Sequence, residues 1–168
     1  GLGSPQEMKV HDEKWHTENF MWGNSRTRRK GFWTDEIAKD WTDTMENART
    51  RLISCFNCPM KCGATITVPG LPTYMMKCFT KLTYTMAAYS DLDFGLSIAQ
   101  KATEYGVDGF SAPQVMAFAL ELLQDGILSQ DDFPGMPEDN EGRFYWLLDR
   151  IVRREGIGDV LAEGTYWA

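Results

Sequence analysis

The chain has 168 residues, 43% hydrophobic and 24% charged, which fits a soluble globular domain with a sizeable core and excludes disorder, collagen and coiled coil. A formal net charge of −7 argues against nucleic acid as a partner, because phosphate binding needs a basic surface. No apolar run approaches the ~20 residues of a membrane span and no signal-peptide stretch opens the chain, so the expected location is cytoplasmic.

Six Trp, nine Phe, six Tyr and nine Met exceed what such a core needs, which predicts surface meant to be covered by another domain or subunit. The chain starts Gly1-Leu2-Gly3 without Met and stops at Trp167-Ala168, so it reads as a piece of something larger. Residues 1–34 have no clean period and mix Trp15, Phe20, Trp22, Phe32 and Trp33 with polar residues, which predicts an irregular wrapping segment. Within it Arg26, Arg28, Arg29 and Lys30 form a basic cluster, open to two readings: a solvated loop, or Arg forks for the phosphates of a CoA moiety.

Ile37, Trp41, Met45, Ala48 and Leu52 recur at three- and four-residue steps and predict a helix over 35–53. A short β-like run, Ala64 to Val68, is closed by Pro69-Gly70. Two helices are expected over 74–89 and 96–105, with Met75, Met76, Phe79, Tyr84, Tyr89 and Phe94 in the core. A further helix over 112–125 has Ser111 as its cap, Pro113 in its first turn and Gly126 after its end, and its apolar residues ring the whole circumference, which predicts full burial. Residues 126–141 read as a loop. The last helix, 142–155, puts Phe144, Leu147, Leu148, Ile151 and Val152 on one face with Gly156 as its stop. The expected class is mainly α, a single helical domain over 1–168 with at most a short β element.

Cys55, Cys58 and Cys62 lie in eight residues, with Cys78 sixteen positions further on. Short spacings bring thiolates together at low closure entropy, and Pro59 stiffens the loop between the second and third thiols. The order is the reverse of the C-x3-C-x2-C of radical S-adenosylmethionine enzymes, and disulfides would need an oxidising compartment for which there is no signal. Spacing leaves a structural zinc site using all four cysteines and an iron–sulfur cluster both open.

The cysteine segment, Thr17-Glu18-Asn19-Phe20, the stretch Glu104 to Ser111, and Ala117 to Leu128 followed by Gly158 to Gly164 resemble, in order and spacing, the aldehyde:ferredoxin oxidoreductase family of tungsten–pterin enzymes. The resemblance implies a middle helical domain from a longer subunit, with a tungsten–bis-pterin centre and a 4Fe–4S cluster held by Cys55, Cys58, Cys62 and a fourth cysteine beyond this chain. The family's pterin motif, Asp-x-x-Gly-Leu-Asp, stands here as Thr103-Glu104-Tyr105-Gly106-Val107-Asp108, which makes Gly106 and Asp108 better pterin contacts than Thr103. Without the resemblance, Gly106-Val107-Asp108 could be only a helix C-cap and turn.

Where aldehyde-oxidising members carry an active-site Glu, this chain has Cys78, similar to the tungsten-bearing subunit of the ATP-independent (class II) benzoyl-CoA reductases, in which a cysteine ligates tungsten. Glu7 and His16, with His11 as a substitute for His16, then match the acid–base pair near the metal, His16 as proton donor and Glu7 as partner or relay. On sequence alone the pair are surface residues, and Cys78 a buried small hydrophobe. The resemblance implies ring reduction of an aromatic acyl-CoA, fed by a ferredoxin-like electron-transfer subunit. The alternatives are aldehyde oxidation to an acid, or, in another class, a zinc-binding helical interaction domain.

Overall fold

A computed structural model describes residues 35–59, 61, 63–76, 80–88 and 90–166. The expected wrapping segment, Glu7, His11, His16, the basic cluster at 26–30, Cys62 and Cys78 lie outside the described residues.

Helix α1 (Asp35–Ala48) leads directly into a small antiparallel sheet of β1 (Arg49–Ile53), β2 (Gly63–Ile66) and β3 (Tyr74–Met76), in the order β1-β2-β3. Ile53 faces Gly63, Leu52 faces Ala64 and Arg51 faces Thr65, with a bulge at Thr50 before Arg49 meets Ile66. On the other side Ala64, Thr65 and Ile66 face Met76, Met75 and Tyr74. Only β2 was expected as a strand. Its two partners fall where helices were predicted, in 35–53 and 74–89, because strand pairing with β2 overrides local periodicity. The β3 pleat also divides the methionine pair: Met76 is buried, while Met75 is 56% exposed rather than core.

Helix α2 (Thr80–Ala88) packs on α3 (Leu92–Glu104), followed by α4 (Ser111–Gln124), a 3₁₀ turn (Gln130–Asp132), α5 (Asn140–Arg153) and α6 (Ile157–Leu161). The central helix is α3, buried on nearly all sides through Leu92, Phe94, Gly95, Leu96, Ile98, Ala99, Gln100 and Ala102. It starts earlier than expected because the Asp91 carboxylate accepts from Phe94 N at 2.8 Å. The full burial expected of α4 is corrected: Ala112, Pro113, Val115, Met116 and Ala119 are buried, whereas Phe118, Leu120, Leu122 and Leu123 are half-exposed.

Helix α5 buries Phe144, Leu147, Leu148 and Ile151 as its period predicts, with Val152 at the edge, 36% exposed. The Phe94 ring meets Phe144 and Tyr145 edge-on at 6.3 and 5.6 Å. The stop of α5 is not Gly156 but Arg154, whose φ of 54° is left-handed, and Glu155 N then donates to Arg150 O. That strain is offset by ion pairs from Arg154 to Asp159 at 3.0 Å and Glu163 at 2.6 Å. Gly156 instead opens α6, at φ 57° and ψ −129°, a conformation open only to glycine. Among the described residues no helix is long and apolar enough to cross a membrane.

Candidate functional site

The candidate residues fall at two places, the loop between β1 and β2 and the corner between α3 and α4. In the loop, Cys58 N donates to Cys55 O at 3.1 Å across a tight turn. Asn57 holds φ at 57° in the third position of that turn, where asparagine tolerates the left-handed region, and Lys61 repeats it at 48°. Cys55 is exposed and Cys58 half-buried, both as free thiols, and between them Phe56 is 95% exposed. A backbone that turns this tightly at Cys55–Cys58, with both residues reachable from outside, fits a cluster that takes further ligands from elsewhere. Among the described residues no group of three or more Cys, His, Asp or Glu converges on one point.

The α3–α4 corner is built by two interlocking caps. Gly106 N donates to Thr103 O at 3.1 Å and Val107 N to Ala102 O at 2.9 Å, a Schellman ending that needs the positive φ of Gly106, 72°. Val107 packs against the core beneath it. Asp108 then caps the next helix: its Oδ2 accepts from Phe110 N at 3.1 Å and Ser111 N at 2.6 Å. These bonds, Ser111's first, hold the Asp108 carboxyl below the usual carboxylate range. The capping role expected of Ser111 therefore belongs to Asp108, and Ser111 is the first residue of α4. Thr103 Oγ1 donates to Ala99 O at 2.8 Å, so its proton is used within α3 and its oxygen faces outward only as an acceptor.

Thr103, Glu104, Tyr105, Gly106 and Asp108 form an exposed rim. The corner fits a polar planar group: an exposed carboxylate, a glycine without a side chain to block close approach, and a hydroxyl acceptor beside them. A cavity of about 310 Å³ opens next to it, lined by Ser111, Gln114, Glu163, Gly164, Thr165 and Tyr166. A larger cavity, about 630 Å³, lies among α1, α3 and the segment after β2, and its described lining includes no candidate residue.

Helix α2 is tied to the corner through one side chain. Thr83, fully buried, donates through Oγ1 to Gly109 O at 2.5 Å. Next to it Tyr84 is also fully buried, and its phenol is pushed up by burial and by the charge of Asp108. Tyr84 is thus in the core, as the sequence predicts.

The chain matches aldehyde ferredoxin oxidoreductase, domains 2 and 3, over residues 1–168. The tungsten-containing aldehyde ferredoxin oxidoreductase of Pyrococcus horikoshii is 33% identical over 126 residues, 67% of this chain and 20% of that protein. The aliphatic sulfonate oxidoreductase, WOR-like subunit, of Pyrococcus furiosus is 38% identical over 93 residues, 51% of this chain and 15% of its own length. A solved structure, the active site complex BamBC of benzoyl coenzyme A reductase in complex with 1,5-dienoyl-CoA, is 80% identical with a TM-score of 0.82, covering 99% of this chain and 26% of that one. The chain thus spans 20% of the length of the first of these relatives and 26% of the solved chain.

Proposed function

The chain belongs to the aldehyde ferredoxin oxidoreductase family, and from that premise we propose that it is the middle helical part of a tungsten-dependent oxidoreductase that reduces the aromatic ring of benzoyl-CoA to a cyclic diene acyl-CoA. The observation that carries this reading is the 80% identity over 99% of the chain to a benzoyl coenzyme A reductase complex, against 33% to an aldehyde-oxidising relative. Cys78 supports it as well: the resemblance implies that it stands where aldehyde-oxidising members carry an active-site Glu.

In this reading a tungsten–bis-pterin supplies electrons at very low potential, which ring reduction needs because the first electron enters a high-energy orbital that the thioester carbonyl only partly relieves. The chain's residues hold and order the reaction around it. Cys78 offers a thiolate to the metal, Gly106 and Asp108 face the pterin, and Thr103 offers an acceptor there. Cys55, Cys58 and Cys62 would hold a 4Fe–4S cluster, which would supply single-electron transfer from a ferredoxin-like partner subunit. His16 delivers protons to the ring, with Glu7 as its partner or relay and His11 as the substitute for His16. The product balances when the ring gains an electron pair and a matching pair of protons.

Aldehyde oxidation is the second reading, carried by the relatives named as aldehyde ferredoxin oxidoreductases. The full-length subunit with its electron-transfer partner, assayed anaerobically, separates the two. Oxidation of a cyclic dienoyl-CoA with an artificial acceptor, and no turnover of benzaldehyde, is expected; the reverse pattern would assign the chain to aldehyde oxidation.

A further inference from the structure

We propose that the outer face of the sheet, Arg51, Ile53 and Met75 with Phe56 beyond its end, is a docking surface. Its occupant is the segment of the same subunit, outside these 168 residues, that brings a fourth thiolate to the cluster at Cys55, Cys58 and Cys62. This rests on the reading of those cysteines as a 4Fe–4S site.

The sheet has one buried face and one open face, because side chains alternate along each strand. Ala64, Ile66 and Met76 turn to the core and are almost fully buried. On the other side Arg51, Thr65 and Met75 stand abreast in register, and both Arg51 and Met75 are exposed. One row further on, Ile53 lies over Gly63, where an added Cβ would meet Ile53 Cγ1 at 2.7 Å. This face therefore carries apolar side chains up to the β1–β2 loop, where Phe56 stands 95% exposed. Ile127 and Val160 are exposed as well, but they belong to the helical part, where single apolar side chains at the surface are ordinary.

The thiol count points to what covers the face. A 4Fe–4S cluster in its usual site is held by four thiolates. The chain has four cysteines, and the proposed function gives Cys78 to tungsten, which leaves three at the loop. The chain covers 26% of the solved relative, so most of such a subunit lies outside it and can supply the fourth. Ligands of one cluster are close neighbours, so the segment bearing that thiolate reaches the loop beside Phe56, where the open face begins. A ferredoxin-like partner that docks and leaves would bare Phe56 and Met75 to water at each release; a covalently continuous segment keeps them covered. Among the described residues no carboxylate pairs with Arg51, and an apolar segment with an acidic group facing Arg51 fits the surface.

The test is hydroxyl-radical footprinting of the full-length subunit, kept anaerobic, alone and with its electron-transfer partner. Mass spectrometry reads modification at Phe56 and Met75 against the urea-unfolded subunit. A covered face predicts modification about tenfold slower than in the unfolded chain, as at the core of an interface, and equally slow without the partner. Rates at Met75 near half the unfolded rate, matching its 56% exposure, would overturn the inference. Slow modification only when the partner is present would also overturn it, because the occupant would then be the partner.

Met75→Lys tests the link to the cluster. Burying a charge in the contact opposes docking, so iron loss to a chelator should be roughly tenfold faster. Hydrogen-exchange protection of α3 and α5 should stay parental, since Met75 is on the open face. Iron loss at the parental rate would separate the face from the fourth ligand and sink the proposal. Iron content of the parent distinguishes the two levels. About four irons per chain with Phe56 and Met75 exposed fails this inference alone; zinc in place of iron removes the cluster reading and the inference with it.

Discussion

Two stretches shared with the family, Gly158 to Gly164 and Cys55 to Cys62, are used in opposite ways. In the first, several residues have work inside the molecule or on its surface network, although Val160 is 50% exposed. Gly158 lets α6 approach α5 so closely that a Cβ there would come within 2.3 Å of Arg150 C and O. Asp159 and Glu163 both pair with Arg154 and hold its left-handed backbone, and Leu161 is buried. In the second, the described residues shape the backbone through two left-handed positions, Asn57 and Lys61, and a tight turn, yet Cys55 and Phe56 are exposed and outside the core cluster. A motif consumed by packing needs no ligand to explain it, whereas one that bends the chain to expose thiols and an aromatic does.

That contrast can be broken by substitution. The largest effect belongs to the helical core. Phe144→Ala should cost about 3–5 kcal/mol, because the ring is 1% exposed and its loss leaves a cavity. Native-state hydrogen exchange of α5 amides in the full-length subunit reads it as lost protection. Gly158→Ala follows at about 3 kcal/mol, since the atoms it would strike are backbone and cannot rotate away. Protection of α6 equal to the parent's would show that the close approach is not needed.

Cys55→Ser reverses the pattern: iron content falls sharply while protection of α3 and α5 stays within about 0.5 kcal/mol of the parent, because the side chain is exposed. A large loss of protection would mean that the loop supports the core after all.

The corner at Asp108 lies between these extremes and is tested by pH. Its carboxyl is held below the ordinary 3.8, mainly by the bond from Ser111 N. Its stabilisation is therefore fully present above that ordinary value and is lost as pH falls through the lower folded value. Asp108→Asn should weaken α4 protection at neutral pH and flatten its acid dependence; an unchanged acid profile would rule out the capping role. The smallest effect is expected for Phe56→Ala, within about 0.5 kcal/mol on stability.

How much could be read beforehand follows the same division. Helix α5 was legible because its apolar residues keep one helical period over three turns and its core face needs no other element to define it. The β1 and β3 strands were not, since Arg49–Ile53 and Tyr74–Met76 become strands only by pairing with β2, a non-local event that a local period does not register. Arg154 was missed for a similar reason: its left-handed φ is held by Asp159 and Glu163, five and nine positions later. The thiol spacing was fully visible. Asp108 as a cap could have been found, since an acidic residue just ahead of a helical period is an N-terminal signal. That Tyr84 Oη has no hydrogen-bond partner among the described residues has no signature in sequence, because it is a property of the assembled surroundings.

The most direct test of the central claim is elemental analysis of the full-length protein, purified anaerobically from its native host. Tungsten together with about four irons per chain is the predicted result, with the iron lost in Cys55→Ser. Zinc bound in place of both would contradict the account and leave the cysteines as a structural site.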